Sequence, residues 1–319
     1  AAILTQQGFG ANHEYGNQDR SFILAPYYPL PVNGGKSDFL LSVFDGHGSG
    51  GHLVAEAAME YLPKVLASEL RKAAPSTSDK SQLHDMITAV MINAFRKVDQ
   101  LVPDAPASGT TMTVALKLGH HLHIANVGDS QTFICKFNPL DQSTIMVFKT
   151  VPDKPDDPKE RQRIFDMGGS LWLPPASPRG VQPPPRVLLN VVDPATNKTT
   201  NVALAVSRSI GDREASAVGV LCEPKVATLK LESVWQRDPL AQIFVFAASD
   251  GVLEKIPSRT VAERLAASLY RTDKVTPLEA IEGILLDANE KWAKSRTFDG
   301  STIENYRDDM TLAVAKVHV

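Results

Sequence analysis

The chain is poor in cysteine, in long apolar runs and in net charge, and each shortage narrows what it can be. Only Cys135 and Cys222 occur among 319 residues. They are far apart, each in an apolar context, and read as core thiols of a reducing compartment, not as a disulfide framework. No apolar run approaches the roughly 20 residues of a membrane-spanning helix, and no signal peptide is visible in the sequence, which starts at Ala1 without Met. These absences predict a cytoplasmic or nuclear protein with no membrane partner. The formal net charge is only −3, which argues against nucleic acid as a ligand. No internal repeat is evident. What is present is an ordinary globular composition, 43% hydrophobic and 22% charged, long enough to bury a core without staples. The expectation is one monomeric domain over 1–319.

The apolar run Phe39–Phe44 reads as a buried strand. It stops at Asp45-Gly46-His47-Gly48. Helical spacing follows over Leu53–Arg71 and again over Leu83–Leu101. The middle of the chain carries short β-type runs, Thr111–Leu118, His121–Val127 and Gln131–Phe137, whose brief connections imply antiparallel meanders. Ile243–Ala248 and Thr311–Val317 are further apolar strands, and Val261–Tyr270 and Leu278–Trp292 are further helices. Each helix pair must bury its apolar stripe on a sheet. The predicted fold is therefore α+β, a four-layer α/β/β/α sandwich: two antiparallel β-sheets face to face, with a helix pair outside each. The stretch at about 170–202 is rich in proline around Trp172 and one apolar run, Val187–Val192. It reads as a solvated flap or insertion, not as core.

Aspartates recur at the ends of the apolar strands. Asp45 follows Phe39–Phe44, and Asp250 follows Ile243–Ala248. Asp308 and Asp309 precede Thr311–Val317, and Asp19 precedes Ser21–Leu24. One such residue is a turn residue; four that converged would repel one another and require a cation. All-oxygen ligands favour Mg²⁺ or Mn²⁺ over Zn²⁺, and carboxylates sharing two such ions suit in-line phosphoryl displacement. Gly46-x-Gly48-x-x-Gly51 matches a dinucleotide fingerprint formally. Asp45 would then put a carboxylate beside the pyrophosphate, and the chain shows meanders where that fold needs βαβ units.

Taken in order, several blocks resemble the metal-dependent protein phosphatases of type 2C. They are Asp45-Gly46-His47-Gly48, Ser108-Gly109-Thr110-Thr111, Val127-Gly128-Asp129-Ser130, and Asp153-Lys154-Pro155 with Glu160-x-x-Arg163-Ile164. Ala203 to Asp212, Glu223-Pro224, Ser249-Asp250-Gly251 and Arg307-Asp308-Asp309-Met310-Thr311 complete the series. The resemblance implies the four-layer fold and hydrolysis of phosphoserine and phosphothreonine in phosphoprotein substrates. It implies two Mn²⁺ or Mg²⁺ ions and direct attack by a water bridging them. Asp45 would bridge both ions and the Gly46 carbonyl would bind one; Asp250 and Asp308 would hold the other. Asp19 would ligate or orient a metal-bound water. Asp129 would serve a weaker third-metal site, to which Glu254 could reach. His47 matches the general acid that protonates the leaving oxygen, a task its ordinary pKa suits.

Two positions depart from the family pattern. Many members carry Arg or Lys five residues before the aspartate at 19, for the substrate phosphate. Here that position is Glu14, a carboxylate that would repel phosphate; His13 beside it is the candidate replacement. Gln18 stands where animal members often have a metal-ligating Glu. The rival reading is a pseudophosphatase, a metal- or partner-binding module without turnover. The remaining polar clusters read as structural: His120, His121 and His123 as an exposed hairpin turn, and Asp153, Asp156 and Asp157 as a solvated acidic loop. Neither cysteine has Arg six positions on, which excludes cysteine-based phosphatase chemistry. Gly128-Asp129-Ser130-Gln131 lacks the Gly-Asp-x-His of histidine-ligated metallophosphoesterases.

Overall fold

Every residue of the strand Phe39–Phe44 is buried, although a strand points alternate side chains to opposite faces. Both faces must therefore be covered, and they are covered by different things. Phe39, Leu41 and Val43 pack with Ala115, Leu122 and Ile124, and across from them with Ile134, Val245, Ala313 and Ala315. Leu40 and Phe44 face the other way, onto Val54, Ala58, Leu62, Met91 and Phe95. The first group lies between two sheets, and the second lies between a sheet and helices.

The computed structural model describes residues 1–10, 16–27, 29, 37–73, 80–175, 183–192, 199–235, 240–270, 275–294 and 306–318. Each main sheet has five strands, all antiparallel. One runs Lys225–Lys230, His121–Val127, Met112–Leu118, Phe39–Phe44, Arg20–Leu24. The other runs Ala2–Gln6, Met310–Val317, Gln242–Ala248, Gln131–Phe137, Thr144–Lys149. Helices Gly51–Ala73 and Lys80–Leu101 cover the outer face of the first sheet. Helices Ser258–Tyr270 and Pro277–Lys294 cover the second, burying Val261, Leu265, Ile281, Ile284 and Leu285 on Phe133, Phe244 and Phe246. The four layers of the sequence-based expectation are those of the structure. No helix among the described residues is long and apolar enough to cross a membrane.

Three expectations need correction. The stretch after Gly169 is no plain solvated excursion. It builds a small antiparallel sheet, Ser170–Trp172, Arg186–Val192 and Thr199–Leu204. One face of that sheet has its own core, Val187, Leu189, Val191 and Leu204 against Ile164, Ala215 and Val220. Alternation explains this: the apolar run needs only one buried face, and the short helix Pro158–Asp166 supplies it. Asp153 is fully buried, not solvated. Its carboxylate pairs with Lys225 at 2.7 Å and accepts the Gly128 amide at 3.1 Å. Asp157, at the start of the short helix, accepts from the Lys159 amide at 2.9 Å as its N-cap. His123 is likewise buried in its strand, 3.0 Å from the Thr228 hydroxyl, while His120 is exposed.

Candidate metal centre

Strand ends from both sheets deliver the carboxylates to one place. Asp45 leaves Phe39–Phe44, Asp129 leaves His121–Val127, and Asp250 leaves Gln242–Ala248. One oxygen from each lies within 4.8 Å of the others. Asp19 stands at the start of Arg20–Leu24 and Asp308 just before Met310–Val317; both add to the negative field on Asp45. Burial first, then Asp19, Asp250, Asp308 and Asp129, push the Asp45 carboxyl well above the usual carboxylate range. Burial does the same to Asp250, with Asp129 and Asp308 adding to it. Asp19 is pushed up to about 7, mainly by burial. Asp308 rises as well, again through burial first.

A cluster of this kind, with Asp19 and Asp129 buried and Asp45, Asp250 and Asp308 half-buried, is costly by itself. The surrounding motif residues hold it in place. Thr111 braces Asp45 twice: its hydroxyl accepts the Asp45 amide at 3.0 Å and its amide donates to the Asp45 carbonyl at 2.9 Å. Ser130 lies 2.7 Å from the same hydroxyl. Ser249 donates to Asp19 Oδ2 at 2.8 Å and accepts the Thr311 amide at 2.9 Å. Asp309 accepts the amides of Gly8 at 2.5 Å and Gln18 at 2.7 Å. It thereby fixes the backbone next to Asp19. Gly46 is sterically required: a Cβ there would come 2.6 Å from the Gly51 carbonyl oxygen.

Do these residues fit a divalent cation? Asp19 Oδ1 is buried and has no hydrogen-bond partner, so one carboxyl oxygen of the group is left unsatisfied. The donors are carboxylates and a backbone carbonyl, hard oxygen ligands suited to Mg²⁺ or Mn²⁺. The residues fit. One protein cation is already close: Lys154 Nζ pairs with Asp129 Oδ2. Burial opposes the charge on Lys154, but Asp129, Asp250 and Glu254 outweigh it and hold the ammonium form.

His47 sits beside the cluster, its side chain 27% exposed, with Nε2 2.6 Å from Asp212 Oδ2. Burial disfavours the imidazolium; the Asp212 carboxylate more than compensates and raises the pKa. Asp212 also accepts from Ser209 at 2.6 Å, and its backbone lies in the left-handed region at φ 45°. Gly109 makes room for this carboxylate, since a Cβ there would fall 2.2 Å from Asp212 Oδ2.

A family model described as Protein phosphatase 2C matches residues 17–297. The chain belongs to the protein phosphatase 2C family. Among curated relatives, "Probable protein phosphatase 2C 64" of Oryza sativa subsp. japonica is 28% identical over 318 residues, 97% of this chain and 65% of the relative. "Probable protein phosphatase 2C 61" of Arabidopsis thaliana is 29% identical over 246 residues, 77% of this chain and 67% of the relative. This phosphatase 2C chain thus spans about two thirds of the length of the curated relatives it matches. The solved serine-threonine phosphatase 2C from Toxoplasma gondii superposes with a TM-score of 0.71 over 99% of this chain and 94% of that one. At 17% identity, that match speaks to the fold alone.

Of the residues singled out from sequence, Asp19, Asp45, Gly46, His47, Asp129, Asp250 and Asp308 converge on the centre. Glu254 is adjacent, its charge felt by Asp250 and Asp308, but its side chain is 52% exposed and lies 3.8 Å from Lys255. His13 and Glu14 lie outside the described residues. Sequence reasoning assigned no part to Asp212 or Lys154, although both sit in motifs it quoted, and it grouped Asp309 with the strand-end aspartates, whereas Asp309 accepts the amides of Gly8 and Gln18.

Proposed function

We propose that this chain hydrolyses phosphoserine and phosphothreonine in proteins as a metal-dependent phosphatase. The observation that carries the reading is the convergence of Asp45, Asp129 and Asp250, with an unpartnered Asp19 oxygen, beside a His47–Asp212 pair. Asp45, the Gly46 carbonyl, Asp19, Asp250 and Asp308 would hold two Mg²⁺ or Mn²⁺ ions, with Asp45 shared between them. Asp129, with Glu254, would serve a third, weaker site. Bound divalent cations supply acidified water as the nucleophile and neutralise charge on the phosphoryl group.

The chain's own residues then have separate tasks. Departure of a serine or threonine alkoxide requires a proton, and His47 holds one. Asp212 engages Nε2, so the proton free to leave the imidazolium is the one on Nδ1. Ser209 fixes Asp212 and Asp212 fixes the ring, an orienting chain of the kind that general acids need. Thr111, itself paired with Ser130, holds the Asp45 backbone in place against the repulsion of the neighbouring aspartates. For the substrate phosphate, His13 is the proposed cation in place of the Arg or Lys missing at Glu14; His13→Ala then raises KM.

Assay of p-nitrophenyl phosphate and a phosphothreonine peptide with Mn²⁺ tests the reading. Turnover that needs the cation and is abolished by chelation supports it. A folded, Mn²⁺-saturated protein without turnover would overturn it in favour of a partner-binding module.

A further inference from the structure

Among the described residues, Lys154 is the only Lys or Arg ion-paired to a member of the Asp45–Asp129–Asp250 trio. Its placement is imposed by the scaffold. The residues before Lys154 and before Asp129 are clamped together: the Asp153 amide donates to the Gly128 carbonyl at 2.9 Å, and the Gly128 amide donates to Asp153 Oδ2 at 3.1 Å. Asp153 is itself anchored by Lys225 at 2.7 Å, with Arg208 at 3.7 Å. Two residues that follow such a clamp must emerge side by side. Asp129 is 8% exposed and Lys154 29%, so the pair is largely withdrawn from water, where an ionic contact is screened little.

We propose that Lys154 is a built-in counter-ion of the acidic pocket, whose ammonium group a divalent cation must displace in order to reach Asp129. The inference rests on reading the cluster as a metal centre, though not on the identity of the reaction. One ammonium neutralises one of three carboxylate charges, so the pocket is part-compensated before any metal arrives. A divalent ion brings twice the charge and accepts several oxygens at once. It therefore wins at sufficient concentration, but against a competitor tethered at the site. Cations held by Asp45 without Asp129 meet no such competitor. The result is a graded centre, in which the Asp129 position is the weakest.

Mn²⁺ titration monitored by the electron paramagnetic resonance of the free ion tests this directly. Lys154→Met keeps the length of the stem and removes the charge. It should tighten the weakest Mn²⁺ step at least tenfold, or add one tight ion. Lys154→Arg should keep the parent isotherm. A Lys154→Met isotherm that overlays the parent, or one in which the weakest step is weaker still, overturns the proposal. A second measurement uses the unaltered protein. Acylation of Lys154, read by mass spectrometry, should rise at least severalfold as Mg²⁺ is added and the amine is released. Labelling independent of Mg²⁺ overturns the proposal even if Lys154→Met does not fold. If isotherms change but no phosphopeptide is hydrolysed, only the phosphatase reading fails. Hydrolysis with unchanged isotherms and labelling means that only the Lys154 assignment fails.

Discussion

Asp212→Asn isolates the proton-delivery part of the proposed chemistry from the rest. Asparagine tolerates the left-handed backbone that residue 212 adopts at φ 45°, and its carbonyl can still accept from Ser209. What disappears is the carboxylate charge 2.6 Å from His47 Nε2. Burial alone disfavours the imidazolium, so without that charge the protonated ring loses its main support. A hydrogen bond to a charged group is worth about 1.5–3 kcal/mol. At 1.36 kcal/mol per decade of rate, this is about ten- to a hundredfold in turnover. The loss should depend on the leaving group. A threonine alkoxide cannot leave without a proton, whereas nitrophenolate is a stable anion. The expected result is a drop in kcat of about ten- to a hundredfold on a phosphothreonine peptide. The change on p-nitrophenyl phosphate should be at most a few-fold, with KM little altered on both. Equal losses on the two substrates would refute the reasoning and reduce Asp212 to a structural cap.

Asp45→Asn should abolish turnover, yet in chelator it should raise the melting temperature. The parent carboxyl is held above its ordinary pKa by burial and four neighbouring aspartates, so its ionised form destabilises the metal-free fold at neutral pH. A lower melting temperature in chelator would contradict this. Saturating Mn²⁺ should stabilise the parent by about 2.7 kcal/mol at a hundredfold excess over Kd, seen as an upward thermal shift that chelation reverses and Asp45→Asn lacks. Glu160→Gln should cost about 3–5 kcal/mol, the range for breaking a buried ion pair, by urea unfolding at pH 7. Burial raises the Glu160 pKa, but Arg208 at 2.9 Å and Arg163 at 2.7 Å outweigh it and bring it to about 2. Because that pKa is depressed, the contribution is complete above about 4.5 and is lost as pH falls toward about 2. The variant's stability should therefore be flatter in that window.

The four layers were legible because alternation and helical spacing are local signals, and each apolar face demands a partner. The metal centre was legible for a related reason. Asp45 directly after Phe39–Phe44, and Asp250 one residue beyond Gln242–Ala248, each put a charge where an apolar strand has just ended, and that anomaly is visible in one window of sequence. Asp153 has no such flag. In a loop beside Asp156 and Asp157 it reads as solvated, and only the fold brings Lys225 and Arg208 to bury it. Asp212 and Asp309 were opaque for the same reason, since their partners lie 165 and about 300 residues away. The strand Arg186–Val192 was visible as an apolar run, but its packing partner Ile164 belongs to a helix that precedes it.

The clamp by which Asp309 holds the amides of Gly8 and Gln18, and the pairing of Ala2–Gln6 with Met310–Val317, have a consequence for how the protein is made. A nascent chain carries Phe39–Phe44, Met112–Leu118 and His121–Val127 early, but the inner face of that sheet stays uncovered until Val245, Ala313 and Ala315 of the second sheet arrive, and domains fold as units. It cannot assemble the carboxylate cluster then, because Asp250, Asp308 and the residue that seats Asp19 follow well over a hundred residues later in the chain. A chain that stops short of residue 250 therefore leaves Asp45 and Asp129 without Asp250, the third member of their cluster. The complete cluster, with the clamp that seats it, thus exists only once synthesis has passed residue 309.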